Sequence, residues 1–234
     1  MTPGNPETPL SPDRYLDLLH REGEALLLAA EDSMDRPVPS CPGWTVDDLV
    51  FHVGSVYAHK RAALRLGRRP EEGEWSWPPD GSSAADDLLW CHSELHGLSA
   101  DLARRAPADP AWSWWEPDQS VGFWMRRMAQ ETAVHRADVE LACGRVPVLP
   151  EDLAVDGIDE FVRVVLADAA VDDVEGPMLD GPSVGVRITD VTVSGDASSV
   201  LLWLWGRGPD GSVALGADPD AVERVRTVLR DATQ

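Results

Sequence analysis

Positive charge is in short supply in this sequence. One lysine, Lys60, and nineteen arginines stand against forty-one acidic residues, for a formal charge of −21. Such a surface repels phosphate backbones and anionic membranes at long range, so neither nucleic acid nor membrane is an expected partner, and small-molecule chemistry is the better starting point. Cysteine is also scarce: Cys41, Cys91 and Cys143 are odd in number and form no Cys-x-x-Cys pair. That excludes a disulfide framework and a thioredoxin-like motif, and reads as reduced thiols in a cytoplasmic protein. The longest wholly apolar runs, Val200 to Trp205 among them, fall far short of a membrane span. The first residues, Met-Thr-Pro-Gly-Asn-Pro-Glu-Thr-Pro, lack the basic-then-apolar order of a secretory signal.

What is present is enough apolar material for one large domain or two small ones, 43% of 234 residues. Residues 1–10 read as a disordered, proline-rich lead. Ser11-Pro12-Asp13 is a cap with proline at the first helical position, and a helix to about residue 31 follows. A second helix begins at Thr45, whose hydroxyl is placed to accept from the Asp48 amide while Asp47 and Asp48 face the positive end of the helix dipole. On it Val46, Leu49, Val50, Val53 and Tyr57 form a core-facing stripe bordered by His52. Helices over Ser83–Ala106 and Val121–Cys143 complete a four-helix bundle over residues 11–150. The connections over Gly67–Ser82 and Pro107–Gln119 carry five of the ten tryptophans, which fits loops folded onto the bundle or lining its mouth.

From Glu151 the character changes. A helix over Glu151–Ala169, one or two alternating strands over Ser183–Ser194, an apolar helix over Ala197–Trp205, a further strand near Ser212–Leu215 and a last helix from Asp218-Pro219 describe a small α+β domain over residues 151–234. The fold class is therefore α+β, a helical bundle followed by a smaller mixed domain.

The chemistry concentrates in Glu131-Thr-Ala-Val-His135, where a carboxylate and an imidazole lie one turn apart on one helix face. With His52 from another helix they make a two-histidine, one-glutamate set, and three protein ligands with a fourth position open is the arrangement of a catalytic zinc site. Other divalent metals suit the same donors. Glutamate and histidine at this spacing also form ordinary hydrogen-bonded pairs. His92 and His96 repeat the spacing, His59 follows His52 on the same face, and His20 reads as a core or rim residue. Spacing alone leaves the choice open. Cysteine catalysis is disfavoured, because adjacent Cys91 and His92 point in different directions from one helix.

The run Cys41-Pro-Gly-Trp-Thr-Val-Asp-Asp-Leu-Val-Phe-His52-Val-Gly, followed by Glu131-Thr-Ala-Val-His135-Arg-Ala-Asp138 on a later helix, resembles the mycothiol-dependent maleylpyruvate isomerase family. The resemblance implies a DinB-like bundle and a divalent metal, usually zinc, on the residues matching His52, Glu131 and His135. It implies mycothiol as the thiol cosubstrate and an electrophilic small molecule as its partner. Asp138, one turn past His135, is placed to orient a ligand. Ser198 to Arg207 resembles the family's apolar helix ending in Gly-Arg, which makes Arg207 a candidate for binding a substrate carboxylate. The C-terminal domain reads as shortened, without a hairpin between about Asp190 and Ser194. The expected activity is a maleylpyruvate isomerase-like reaction or a thiol S-transfer. The competing readings are a non-catalytic protein that binds a small ligand among the tryptophans, and a family member reused in specialised biosynthesis.

Overall fold

The computed structural model describes residues 10–78 and 82–233, so the expected lead lies outside it up to residue 9. The chain divides into two compact units, Ser11–Pro147 and Val148–Gln234.

The first unit is built from α1 (Pro12–Ala30), α2 (Val46–Leu66), α3 (Ala84–Ala103) and α4 (Val121–Ala142). Each begins where a hydroxyl takes up amides that have no partner in the first turn. Ser11 accepts from the Arg14 amide and Ser120 from the Phe123 amide, while Thr45 and Ser83 form reciprocal capping boxes with Asp48 and Asp86. Helix α2 stops at Gly67, whose φ of 67° suits the left-handed turn that ends a helix. The core takes Leu18, Leu19 and Leu26 from α1, Leu49, Val50 and Val53 from α2, Leu95, Leu98 and Leu102 from α3, and Trp124 and Met128 from α4. Each such burial is worth about 1.5–3 kcal/mol before the entropy of ordering is counted. Helix α1 packs on α4 and α3, and α2 packs on α3 and α4.

Two features fix these helices relative to one another. Gly54 lets α2 approach α3 so closely that an added Cβ would sit 2.5 Å from the Trp90 ring. Arg136 of α4 is buried against Glu22 of α1 and also reaches Glu140. Helix α4 is unusual in burying polar groups on several sides, among them Arg127, Gln130, Thr132, His135, Arg136 and Asp138. Buried polar residues are the informative ones in a core.

The connections before α2 and α4 are stapled in the same way. Pro37 bridges to Thr45 and Pro110 to Ser120. The Val38 amide donates to the Trp44 carbonyl at 2.9 Å, and the Ala111 amide to the Gln119 carbonyl at 3.0 Å. The entry of both helices is thereby set.

The second unit opens with α5 (Glu151–Glu160), which runs through a π-helical turn (Phe161–Val165) into the short α6 (Leu166–Asp168). The single helix expected over this stretch is thus one helical path with an irregular turn in it. An antiparallel sheet follows in the order β1 (Val174–Asp180), β2 (Ser183–Ile188), β3 (Val191–Gly195), β4 (Ala214–Gly216). Val186 pairs with Val193 and Ile188 with Val191, and these valines and isoleucine share the buried face. Helix α7 (Ala197–Leu204), capped by Asp196, packs on β2 and β3, and α8 (Pro219–Ala232), capped by Asp218, packs on β3. Strands β2 and β3 form a hairpin through Thr189 and Asp190, so the stretch read as one or two strands is two. Strand β1 was not expected. It carries Gly176-Pro177, and its pairing with β2 shifts register between Glu175 and Met178, so its pattern reads as a turn rather than a strand.

Candidate metal centre

The residues singled out on α2 and α4 converge. Among the described residues, His52, Glu131 and His135 form one of two groups whose ligand atoms all lie within 4.8 Å of one another. Glu131 Oε1 is 3.2 Å from His135 Nε2 and 3.8 Å from His52 Nε2. The two imidazole rings meet edge to face with centroids 5.2 Å apart. His52 also packs on Trp44 of the stapled connection, at 5.1 Å.

Behind the ligand atoms the partners are equally defined. His135 Nδ1 lies 2.9 Å from Asp138 Oδ2, and Asp138 is fully buried with its other oxygen accepting from the Ser40 hydroxyl. A carboxylate on Nδ1 fixes the proton there and turns the Nε2 lone pair toward Glu131. Arg127 donates to Glu131 Oε2 at 3.0 Å, which leaves Oε1 for the histidines. Tyr57 and Thr132 share a buried hydrogen bond of 2.7 Å between α2 and α4.

This arrangement sets two acceptors, Nε2 and Oε1, against each other, and such a pair needs a cation between them. In the metal-free chain a proton serves. Burial opposes charge on His135, but Glu131, with hydrogen bonds to Asp138 and Glu131, outweighs it and holds the imidazole pKa up at about 9. Burial likewise penalises the Glu131 carboxylate, yet His135, His52 and Arg127 bring its pKa well below the ordinary carboxylate value. The donor set, the spacing and the carboxylate behind His135 all fit a divalent ion of zinc type.

The comparisons with known proteins bear on the family and the fold. The family model for the mycothiol maleylpyruvate isomerase N-terminal domain matches residues 8–140, and that for the MDMPI C-terminal domain matches residues 152–224. The chain belongs to the mycothiol maleylpyruvate isomerase family. No curated protein matches it. A crystal structure of a mutant of the mycothiol-dependent maleylpyruvate isomerase superimposes with a TM-score of 0.66, over 90% of this chain and 95% of that one, at 14% identity. At that identity the likeness speaks for the fold.

Other residues of this family member were not singled out from the sequence. Lys60, the one lysine, is partly buried, with its ammonium 4.8 Å from the centre of the Trp124 ring and 3.2 Å from His59 Nδ1. Burial lowers its pKa to about 8, while the Glu131 charge pulls it the other way. Lys60 lies about two turns beyond His52 on α2, a spacing that was available to find it. Arg127 precedes Glu131 by one turn, as His135 follows it. Ser40 and Trp44 carried no such signal, because their roles depend on how the connection folds back.

The remaining candidates lie elsewhere. His59 packs on Trp75 and Trp112 at 5.0 and 6.3 Å, and burial lowers its pKa to about 4. His92 and His96 lie with His20 and Glu24. A cavity of about 450 Å³ lined by Arg61, Trp75 and Glu94, among others, contains none of the three converging ligands. Arg207 belongs to the second unit, where its Nη1 donates to the Trp205 carbonyl at 2.6 Å and its guanidinium lies 5.9 Å from the Trp205 ring centre.

Proposed function

We propose that this chain is a metal-dependent enzyme that activates mycothiol, a low-molecular-weight thiol, for attack on an electrophilic small molecule, as a maleylpyruvate isomerase or a thiol S-transferase. The observation that carries this reading is the convergence of His52, Glu131 and His135 from two helices, with Asp138 behind His135. Family membership supports the choice of thiol and reaction class. A divalent ion held by these three side chains, zinc by the donor set, supplies the positive charge that deprotonates a thiol otherwise near pKa ~8.5.

The chain's own residues then have separable tasks. Asp138 holds the His135 proton on Nδ1 and leaves Nε2 free to ligate. Arg127 engages one oxygen of Glu131, and Trp44 holds the His52 ring in place. Lys60 and Arg127 add positive charge near Glu131, which favours an anionic substrate such as a keto acid. Arg207 is assigned to a substrate carboxylate on its resemblance to the family's Gly-Arg. Addition of a thiol to a conjugated cis double bond, rotation, and loss of the same thiol isomerises the substrate without net redox change. If the electrophile has a leaving group, or the adduct is retained, the same attack is an S-transfer.

The test is the metal content of purified wild type and His135→Ala, followed by mycothiol-dependent conversion of maleylpyruvate. The variant is expected to lose one equivalent of metal and at least ~100-fold in turnover, since chemistry of this kind rests on the ion. A folded His135→Ala protein with full metal content and full thiol-dependent activity would sink the reading.

A further inference from the structure

The second converging group lies outside the centre just described. Helix α1 presents His20 and Glu24 one turn apart, and α3 presents His92 and His96 one turn apart, where the two helices pack together. We propose that Glu24, His92 and His96, with His20 alongside, form a second metal site, a surface clamp for a borderline divalent ion such as zinc, cobalt or nickel.

The distances carry the argument. His96 Nε2 is 3.0 Å from His92 Nε2 and 3.2 Å from Glu24 Oε1, and His92 Nε2 is 3.4 Å from the same oxygen. His20, Glu24 and His96 offer ligand atoms within 4.8 Å of one another, and the His20 and His96 rings lie 5.4 Å apart. An ion about 2.0–2.1 Å from each of four tetrahedral ligands sets neighbouring ligand atoms roughly 3.3 Å apart. The three measured separations straddle that edge length.

Hydrogen bonding alone accounts poorly for the cluster. Glu24 Oε1 is buried and accepts no hydrogen bond, although two imidazole nitrogens lie within 3.4 Å of it. Two Nε2 atoms at 3.0 Å can share only one proton between them. A single cation in contact with both nitrogens and the oxygen satisfies all three. The donors, imidazoles and a carboxylate, suit borderline metals better than calcium or magnesium. A chain of charge −21 also concentrates cations at its surface.

The site differs in kind from the first. His92 and His96 are each 47% exposed and Glu24 is 43% exposed, so the ion would exchange freely with solution. Its donors come from the exposed faces of two packed helices, which suits a tie between α1 and α3.

The experiment counts cobalt(II) bound by chelator-treated full-length protein, by titration of its visible absorption, in wild type, His135→Ala, His92→Ala/His96→Ala, and all three substitutions together. Wild type is expected to bind two equivalents. The His92→Ala/His96→Ala variant should lose one and keep the other, and Glu24→Gln should weaken that same equivalent about 10-fold or more. These side chains lie largely at the surface, so the variants are expected to fold as wild type does, with far-UV circular dichroism as the check. If His92→Ala/His96→Ala binds as much cobalt as wild type with unchanged affinities, the second site is overturned whatever His135→Ala does. If only His135→Ala proves silent, the proposed catalytic centre fails and this one stands.

Discussion

At the scale of single residues, the candidate centre is a set of side chains that each fix the state of the next. Ser40 donates to Asp138, Asp138 faces His135 Nδ1, and His135 Nε2 faces Glu131, whose other oxygen is taken by Arg127. Asp138→Ala removes the group that orients the histidine and leaves Nδ1 buried without a partner. Zinc affinity, measured by competition with a chromophoric chelator, is expected to fall about 10–100-fold, whereas Asp138→Asn, which still accepts from Nδ1, should retain most of it. Equal loss in both variants would argue for charge rather than orientation. The same residues give the metal-free chain a pH dependence with a definite sign. His135 has a folded pKa of about 9 against an ordinary value of 6.5, so its contribution is fully present below pH 6.5 and lost as pH rises toward 9. Lys60 acts oppositely in a higher window: its folded pKa is lowered to about 8 from 10.5, so stability rises between those values. The Glu131 contribution, with its carboxyl pKa lowered, stays constant throughout this range. Urea midpoints of chelator-treated protein should therefore fall between pH 6.5 and 8, level off between 8 and 9 where the two effects oppose each other, and rise above 9, with zinc abolishing the fall. A midpoint that rises between pH 6.5 and 8 would contradict the His135 assignment.

At the scale of elements, the helices explain why these side chains are held so firmly. Capping hydroxyls at Ser11, Thr45, Ser83 and Ser120 start each helix of the bundle at a defined residue. A start displaced by one position would rotate every later side chain by about 100° about the axis. The bridges at Pro37–Thr45 and Pro110–Ser120 do the same for the direction of entry into α2 and α4. Gly54 sets the approach of α2 to α3. Gly54→Ala improves helix propensity by about 1 kcal/mol, yet its methyl group would lie 2.5 Å from the Trp90 ring. Overpacking of that kind costs about 1–3 kcal/mol, and the ring has neighbours of its own in Phe51. A net loss of stability is expected in chemical denaturation, and a gain would mean that Trp90 yields easily.

At the scale of the whole molecule, the proposed metal binding would be coupled to folding, because the candidate ligands come from separate helices and meet only when the bundle is formed. Anything that binds the native state alone stabilises it by RT ln(1 + [L]/Kd), about 2.7 kcal/mol at a hundredfold excess over Kd. For a chain of this length each kcal/mol moves the melting temperature by roughly 2–4 °C. Removing zinc from the loaded protein with a chelator is thus expected to lower the bundle's melting temperature by about 5–10 °C, with recovery on adding zinc back. Calorimetry checks it, and a transition indifferent to the chelator would count against both metal sites.

Much of this was legible in the linear order of residues. The period of the apolar side chains, the capping residues and the glutamate–histidine spacing on α4 are local properties, set by 3.6 residues per turn and by the chemistry of helix ends. They define the helices and say which side chains share a face. The shift after Glu151 marks the change from bundle to mixed domain, although Gly176-Pro177 hid β1, because an irregular edge strand lacks the alternating pattern. Two questions lay beyond local rules. His52, Glu131 and His135 come together, and His92 and His96 instead join His20 and Glu24, because the distance between residues on different helices depends on how the entire core packs. The groups around them, Trp44 on His52, Arg127 on Glu131 and Ser40 on Asp138, were decided by the same packing. Spacing along one helix is a property of the backbone; meeting across helices is a property of the fold.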